Sequence, residues 1–158
     1  MDYRIGFSRD IHRLVSNRKL ILAGVIVPFD KGELAHSDGD VVYHAIAESI
    51  LGALALGDLG KHFPDNSKTT KDMDSALIVK RVVLMMKEKG YRVNNIDVFV
   101  SLEKPKLKDY IIQMKSNIAS LLEVELDYVS LKAGTNEGCG EVGNGEAVEA
   151  SSIVLLKK

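Results

Sequence analysis

The sequence predicts an α+β fold, a mixed β-sheet with helices packed mainly on one face, in a single domain spanning residues 1–158. Three observations carry this expectation. Segments of strand character open and close the chain, apolar residues recur at helical spacing in three places between them, and glycines stand where those periodic runs end. A chain of 158 residues can bury roughly 68–70% of the surface its unfolded form exposes, so one core suffices.

Residues 3–12 read as a strand and residues 19–28 (KLILAGVIVP) as a second, bent at Gly24; the SNR turn between them makes the pair a hairpin. Ser37 is placed to cap a helix whose first turn attracts the charges of Asp38 and Asp40. Its apolar run continues to about Leu56, before Gly57. Residues 58–72 form a polar connection longer than most inside a compact domain, and such loops are commonly functional. Leu77, Ile78, Val82, Leu84 and Met85 give residues 75–89 the spacing of a core-facing helix that stops at Gly90. Residues 91–102 read as a strand, 108–122 as a helix, 128–134 as a strand and 148–158 as the last strand, after a glycine-rich loop.

Composition excludes several classes. A formal charge of −1 gives no basic surface to follow a phosphate backbone, so nucleic acid is not an expected partner. Cys139 is the single cysteine and cannot close an intramolecular bridge, which fits a reducing compartment. No window approaches the roughly 20 apolar residues of a membrane span, and no signal region opens the chain, so a cytoplasmic protein without a membrane partner is expected.

Chemistry concentrates near the first strand and first helix. On a strand, alternate side chains share a face, so Asp10 and His12 project together while Ile11 turns away. His44 supplies a third donor from the helix, with Asp40 and Glu48 one turn away on either side as neighbours able to fix its tautomer. One carboxylate and two imidazoles suit a catalytic zinc with an open fourth position, since structural zinc is usually closed by four ligands. The same donors also serve non-haem iron, and ligand identity alone leaves that open. His36, eight residues before His44, lies off the ligand-bearing face, and spacing leaves it as either a loop donor or a solvated residue.

Read in order, RIGFSRDIHRL, LAHSDGDVVYHA, ALGDLGKHFPD, KPKL and KAGTNEGCGEVGNGE resemble the successive motifs of the 2-C-methyl-D-erythritol 2,4-cyclodiphosphate synthase family, over almost the whole chain. The resemblance implies a homotrimeric phosphorus–oxygen lyase of the non-mevalonate isoprenoid pathway. Its substrate is a cytidine diphosphate-linked methylerythritol 2-phosphate, cyclised with release of CMP at active sites between subunits. It implies zinc on Asp10, His12 and His44, with Asp10 and His12 also facing substrate, and a second divalent ion, magnesium or manganese, on Glu137. His36 and Thr135 fall on positions that steady the transition state, and Ser37 on a substrate contact. Asp58, Leu59, Gly60, Phe63, Pro64, Asp65, Asn66 and Ser67 match the loop that holds the methylerythritol and its phosphate. Leu102, Lys106, Leu107, Ala133, Gly134, Thr135, Asn136 and Glu137 match the cytidine and diphosphate pocket of the neighbouring subunit.

The sequence departs from the family pattern at several points. Arg9 stands where an aromatic is common, and Asn144 where an arginine is common; both regions line a central cavity that in the family can hold an isoprenoid diphosphate. Arg9 is therefore expected either to replace the charge missing at Asn144 or to mark a cavity without that ligand. GTNE replaces a TTTE-like run, and Leu102 a smaller residue. Two rival readings follow from these features: a trimeric metal-stabilised binding module without turnover, and a 2-His-1-carboxylate iron enzyme, for which strand signals are too few.

Overall fold

The computed structural model describes residues 2–64 and 73–158. A five-stranded sheet is built around two long antiparallel strands, β1 (Tyr3–Ser16) and β7 (Ala147–Lys157), paired from Tyr3↔Lys157 to Arg13↔Ala147. Short β4 (Lys31–Glu33) adds to the outer edge of β1, and β5 (Arg92–Ser101) pairs antiparallel with the other side of β7. β6 (Val129–Gly134) lies parallel to β5, the two joined by a crossover through helix α4 (Ile111–Leu122). The order β4-β1-β7-β5-β6 makes the sheet mixed, as predicted.

The expected hairpin between the first two strands is not formed. β1 continues to Ser16, and residues 19–28 fold on themselves as a two-stranded ribbon, β2 (Leu20–Leu22) with β3 (Val25–Val27). Ala23 and Gly24, with φ of 48° and 72°, make its turn, and the buried carboxylate of Asp40 holds it by accepting from their amides at 2.9 and 2.7 Å. The apolar run had two ways to satisfy its backbone, and a distant carboxylate decides between them.

Asp40, not Ser37, caps helix α1 (Val41–Ala53), accepting from the Tyr43 amide. Glu33, equally buried, accepts from the Val41 amide. The helix stops at Ala53, earlier than expected, because Ala55 turns into left-handed backbone at φ 56°. Ile46, Ile50 and Leu51 are fully buried in the core, on a helix that packs against β1, β7 and α3, each worth roughly 1.5–3 kcal/mol. Helix α3 (Ser75–Glu88) packs on α1 through Ile78, Val79, Val82, Val83 and Met86. Leu77 and Leu84, expected in the core, are half exposed, because the stripe through 78/79, 82/83 and 86 is the one that faces α1 and α4.

Helices cover one face of the sheet. The other face carries Tyr3, Ile5, Phe7 and Ile11 from β1, Phe99 from β5 and Ile153 from β7, with Ile5 70% and Phe7 63% exposed. Among the described residues no helix is long and apolar enough to cross a membrane.

Burial raises the Asp40 carboxyl to about 6, against the pull of three backbone N–H donors. An acid whose folded value lies above its unfolded value of 3.8 contributes stability that is fully present below about pH 4 and is lost as pH rises through about 6. Urea unfolding should therefore show the wild-type curve falling relative to Asp40→Asn by on the order of 2–3 kcal/mol between pH 4 and 7. A difference independent of pH would contradict this assignment.

Candidate active site

Strand alternation on β1 turns Gly6, Ser8, Asp10, His12 and Leu14 toward the helices, and at Asp10 and His12 the first turn of α1 delivers His44 onto the same spot. One ligand atom from each of the three residues lies within 4.8 Å of the others. The two imidazole rings meet edge to face, with centroids 5.1 Å apart.

The hydrogen bonds fix which atoms converge. His12 Nδ1 lies 2.7 Å from the Gly39 carbonyl oxygen, which can only accept, so Nδ1 carries the proton and Nε2 presents its lone pair. That Nε2 is 3.1 Å from Asp10 Oδ2. His44 Nε2 is 3.0 Å from Ser75 Oγ and 3.2 Å from Ser37 Oγ. Ser75 spends its own proton on Asp38, so it accepts from His44, whose Nδ1 then faces Asp10 Oδ2 at 3.3 Å. Two nitrogen lone pairs and a carboxylate oxygen thus point at one another, an arrangement stable only with protons or a metal cation between them. Burial opposes ionisation of Asp10, yet the two imidazoles hold its carboxyl well below the usual range; burial likewise opposes charge on His12, and Asp10 raises it on balance. Side-chain exposures of 14% for His12, 13% for His44 and 30% for Asp10 leave one open side. The donor set fits a zinc ion with a free position.

That side opens into a cleft of about 360 Å³, lined also by Leu34, Ala35, His36, Ser37, Glu48, Leu59, Gly60, Phe63 and Ile78. His36 therefore faces the cleft without joining the ligand triangle. Asp40 and Glu48 do not flank the His44 imidazole as expected. Asp40 turns into the ribbon, while Glu48 accepts from Ser8 Oγ at 2.6 Å and from the Leu59 amide at 3.2 Å, tying the loop after α1 to β1. Asp58 caps the short helix α2 (Leu59–His62) through the Lys61 amide, and Asp58 and Pro64 stand outside the cleft wall. Asp65, Asn66 and Ser67 lie outside the described residues.

A second cleft of about 310 Å³ is lined by Leu102, Pro105, Lys106, Leu107, Lys108, Ile111, Leu131, Ala133, Gly134 and Thr135, around the ends of β5 and β6. It shares no lining residue with the first. The Leu102 amide donates to the Gly134 carbonyl, and the Asn136 amide to Glu103 Oε2. Glu137 adopts left-handed backbone at φ 51°, and its exposed carboxylate accepts from Thr135 Oγ1 at 3.1 Å. A Cβ at Gly134 would sit 2.9 Å from the Phe99 ring, so the glycine in GTNE makes room for that aromatic.

Residues 3–157 match the YgbB family. The chain belongs to that family. Among curated relatives, the 2-C-methyl-D-erythritol 2,4-cyclodiphosphate synthase of Fusobacterium nucleatum is 48% identical over 155 residues, 98% of this chain and 97% of the relative. The synthase of that name from Geobacillus sp. is 49% identical, covering 99% of both. Among solved structures, the bifunctional IspDF from Campylobacter jejuni superposes with a TM-score of 0.94 at 38% identity, over 99% of this chain and 42% of that longer one. The IspF of Plasmodium falciparum in complex with CDP does so at 0.86 and 34% identity, over 98% and 95%.

Two features of this YgbB-family chain were not expected from its sequence. Ser75, at the start of α3, reaches the His44 imidazole from 31 positions away. Arg9 is not a free cation, because its Nη2 lies 2.5 Å from Glu149 Oε2 on β7. Asn144 ends the short helix α5 (Gly140–Gly143) and is exposed.

Proposed function

We propose that this chain is a metal-dependent 2-C-methyl-D-erythritol 2,4-cyclodiphosphate synthase, forming the cyclic diphosphate and CMP from the cytidine diphosphate-linked methylerythritol 2-phosphate. The observation that carries the reading is the Asp10–His12–His44 triangle on the wall of a cleft, in a chain nearly half identical to curated synthases over almost its full length. The 2-phosphate oxygen attacks the nearer phosphorus of the diphosphate; one P–O bond forms, the bond to CMP breaks, and CMP departs with the electron pair. The nucleophile is already an anion, so no side chain need deprotonate it, which agrees with a cleft rich in metal-ligating side chains.

Zinc on Asp10, His12 and His44 supplies Lewis-acid charge to a phosphoryl group. The protein's own part is positioning and charge placement. His36 and Thr135 donate to oxygens on which charge develops, and Ser37, Leu59, Gly60 and Phe63 hold the methylerythritol end. Leu102, Lys106, Leu107 and residues 133–136 hold cytidine and diphosphate. Glu137 offers a single carboxylate that would hold magnesium or manganese, hard ions that would supply charge to the diphosphate.

The active site forms between subunits of a homotrimer, one supplying the metal cleft and its neighbour the second cleft. Two features favour this: the clefts are separate within one chain, and the helix-free sheet face is an apolar patch of the kind that marks an interaction surface. Phe7→Asp should convert the trimer to monomer in sedimentation velocity; a trimer persisting in that variant would place the interface elsewhere. Phosphorus NMR of the cytidyl substrate, with and without chelator, tests the reaction. Cyclic diphosphate and CMP that vanish on chelation are the expected result, and absence of metal-dependent turnover would refute it.

A further inference from the structure

Resting on the zinc reading of Asp10, His12 and His44, we propose that Ser75 is a positioning residue of the metal centre, its hydroxyl passing the anchoring pull of Asp38 to His44. Three contacts define the relay. Asp38 Oδ1 accepts from Ser75 Oγ, and Ser75 Oγ lies 3.0 Å from His44 Nε2 and accepts from it. The Ser75 amide donates separately to Asp38 Oδ2 at 3.1 Å. Ser75 is fully buried, so water does not compete for its hydroxyl.

A metal-ligating histidine ordinarily gives its second N–H to a carboxylate or a carbonyl, which fixes tautomer and ring orientation and raises the basicity of the ligating nitrogen. His12 follows that rule directly through the Gly39 carbonyl. His44 instead reaches its carboxylate through an inserted hydroxyl. A serine hydroxyl has one proton, and the proton is committed to Asp38, so the lone pair turned to His44 can only accept. The proton of His44 is thereby held on Nε2 and its Nδ1 lone pair directed at Asp10 and the cleft. Ser37 Oγ also lies near Nε2, at 3.2 Å, but it accepts from the Gly39 amide, and among the described residues no carboxylate accepts from it. Among the described residues its hydroxyl proton is not committed to a carboxylate, so it holds the imidazole without selecting the tautomer.

The geometry also separates this role from a structural one. Ser75→Ala removes the hydroxyl and keeps the backbone N–H that ties α3 to Asp38, so the helix start survives while the relay is cut. Zinc affinity of the full-length protein is measured by competition with a chromogenic chelator, together with the ligand-field spectrum of the Co(II) form. Ser75→Ala is expected to weaken zinc binding about 10–100-fold and to alter the cobalt bands. Ser75→Thr, which keeps the hydroxyl, should stay within about threefold of wild type, and Ser37→Ala should lose several-fold less than Ser75→Ala. Metal-free Ser75→Ala should still unfold cooperatively, its stability lowered by no more than the roughly 1–3 kcal/mol of a lost buried hydrogen bond, so that weaker zinc binding does not reflect a misfolded protein. Wild-type zinc affinity and cobalt spectrum in Ser75→Ala would overturn the relay, as would equal losses in Ser75→Ala and Ser75→Thr. If wild type and His12→Ala bound zinc equally poorly, the metal centre itself would be refuted, and the relay with it.

Discussion

His12→Ala and His44→Ala are each expected to lose stoichiometric zinc and to lower turnover by at least about 10²–10³-fold, whereas His36→Ala should keep its zinc and still slow turnover. The reasoning starts from the triangle. Nδ1 of His12 and Nε2 of His44 are committed to outside partners, so the inward-facing nitrogens are left to Asp10 and to the proposed cation. Removing one ring leaves two donors, too few for the three protein ligands typical of catalytic zinc. His36 lines the same cleft without belonging to the triangle, so its loss leaves the ligand count at three. Metal content by atomic emission and turnover by phosphorus NMR give the two readouts. Loss of zinc in His36→Ala would merge the two histidine roles that the geometry keeps apart.

The parts of this site that were legible in sequence are those governed by local periodicity. Asp10 and His12 share a strand face because the repeat along β1 is two, and His44 sits one turn into α1 because a long apolar run behind capping and acidic residues reads as a helix. What spacing could not show is where a polar side chain turns when two partners compete for it. Asp40 is four residues from His44 and reads as its neighbour, yet the unpaired amides of Ala23 and Gly24 draw its carboxylate into the core. The buried amide of Ala23 would cost roughly 1–3 kcal/mol if left unpaired, more than a solvated contact with an imidazole returns. Glu48 is diverted in the same way by Ser8 and the Leu59 amide.

Long-range pairings were hidden for a related reason. Ser75 meets His44 only because α3 packs on α1, and nothing in the 30 residues between them announces that contact. Residues 19–28 contain the right residue types for a strand but pair with themselves, since β1 finds a longer partner in β7 at the far end of the chain. Arg9 looks like a free cation in sequence and is neutralised by Glu149, two residues from its register partner Ser151 on β7.

Mixing two inactive variants should restore activity. Combining His12→Ala with Lys106→Ala subunits, unfolded together and refolded at equal concentration, is expected to recover about a quarter of wild-type turnover. Each site in the proposed trimer takes its metal cleft from one subunit and its second cleft from the neighbour, and the two clefts share no residue. In a randomly mixed ring each subunit position holds either variant with equal chance, so about one interface in four pairs an intact metal cleft with an intact second cleft, independent of the other interfaces. Homotrimers of either variant contain no such interface. If both clefts instead served one site within a single chain, every chain in the mixture would carry one damaged half, and no activity would return at any ratio. Varying the ratio sharpens the test, because recovery should follow the product of the two subunit fractions and peak at equal amounts.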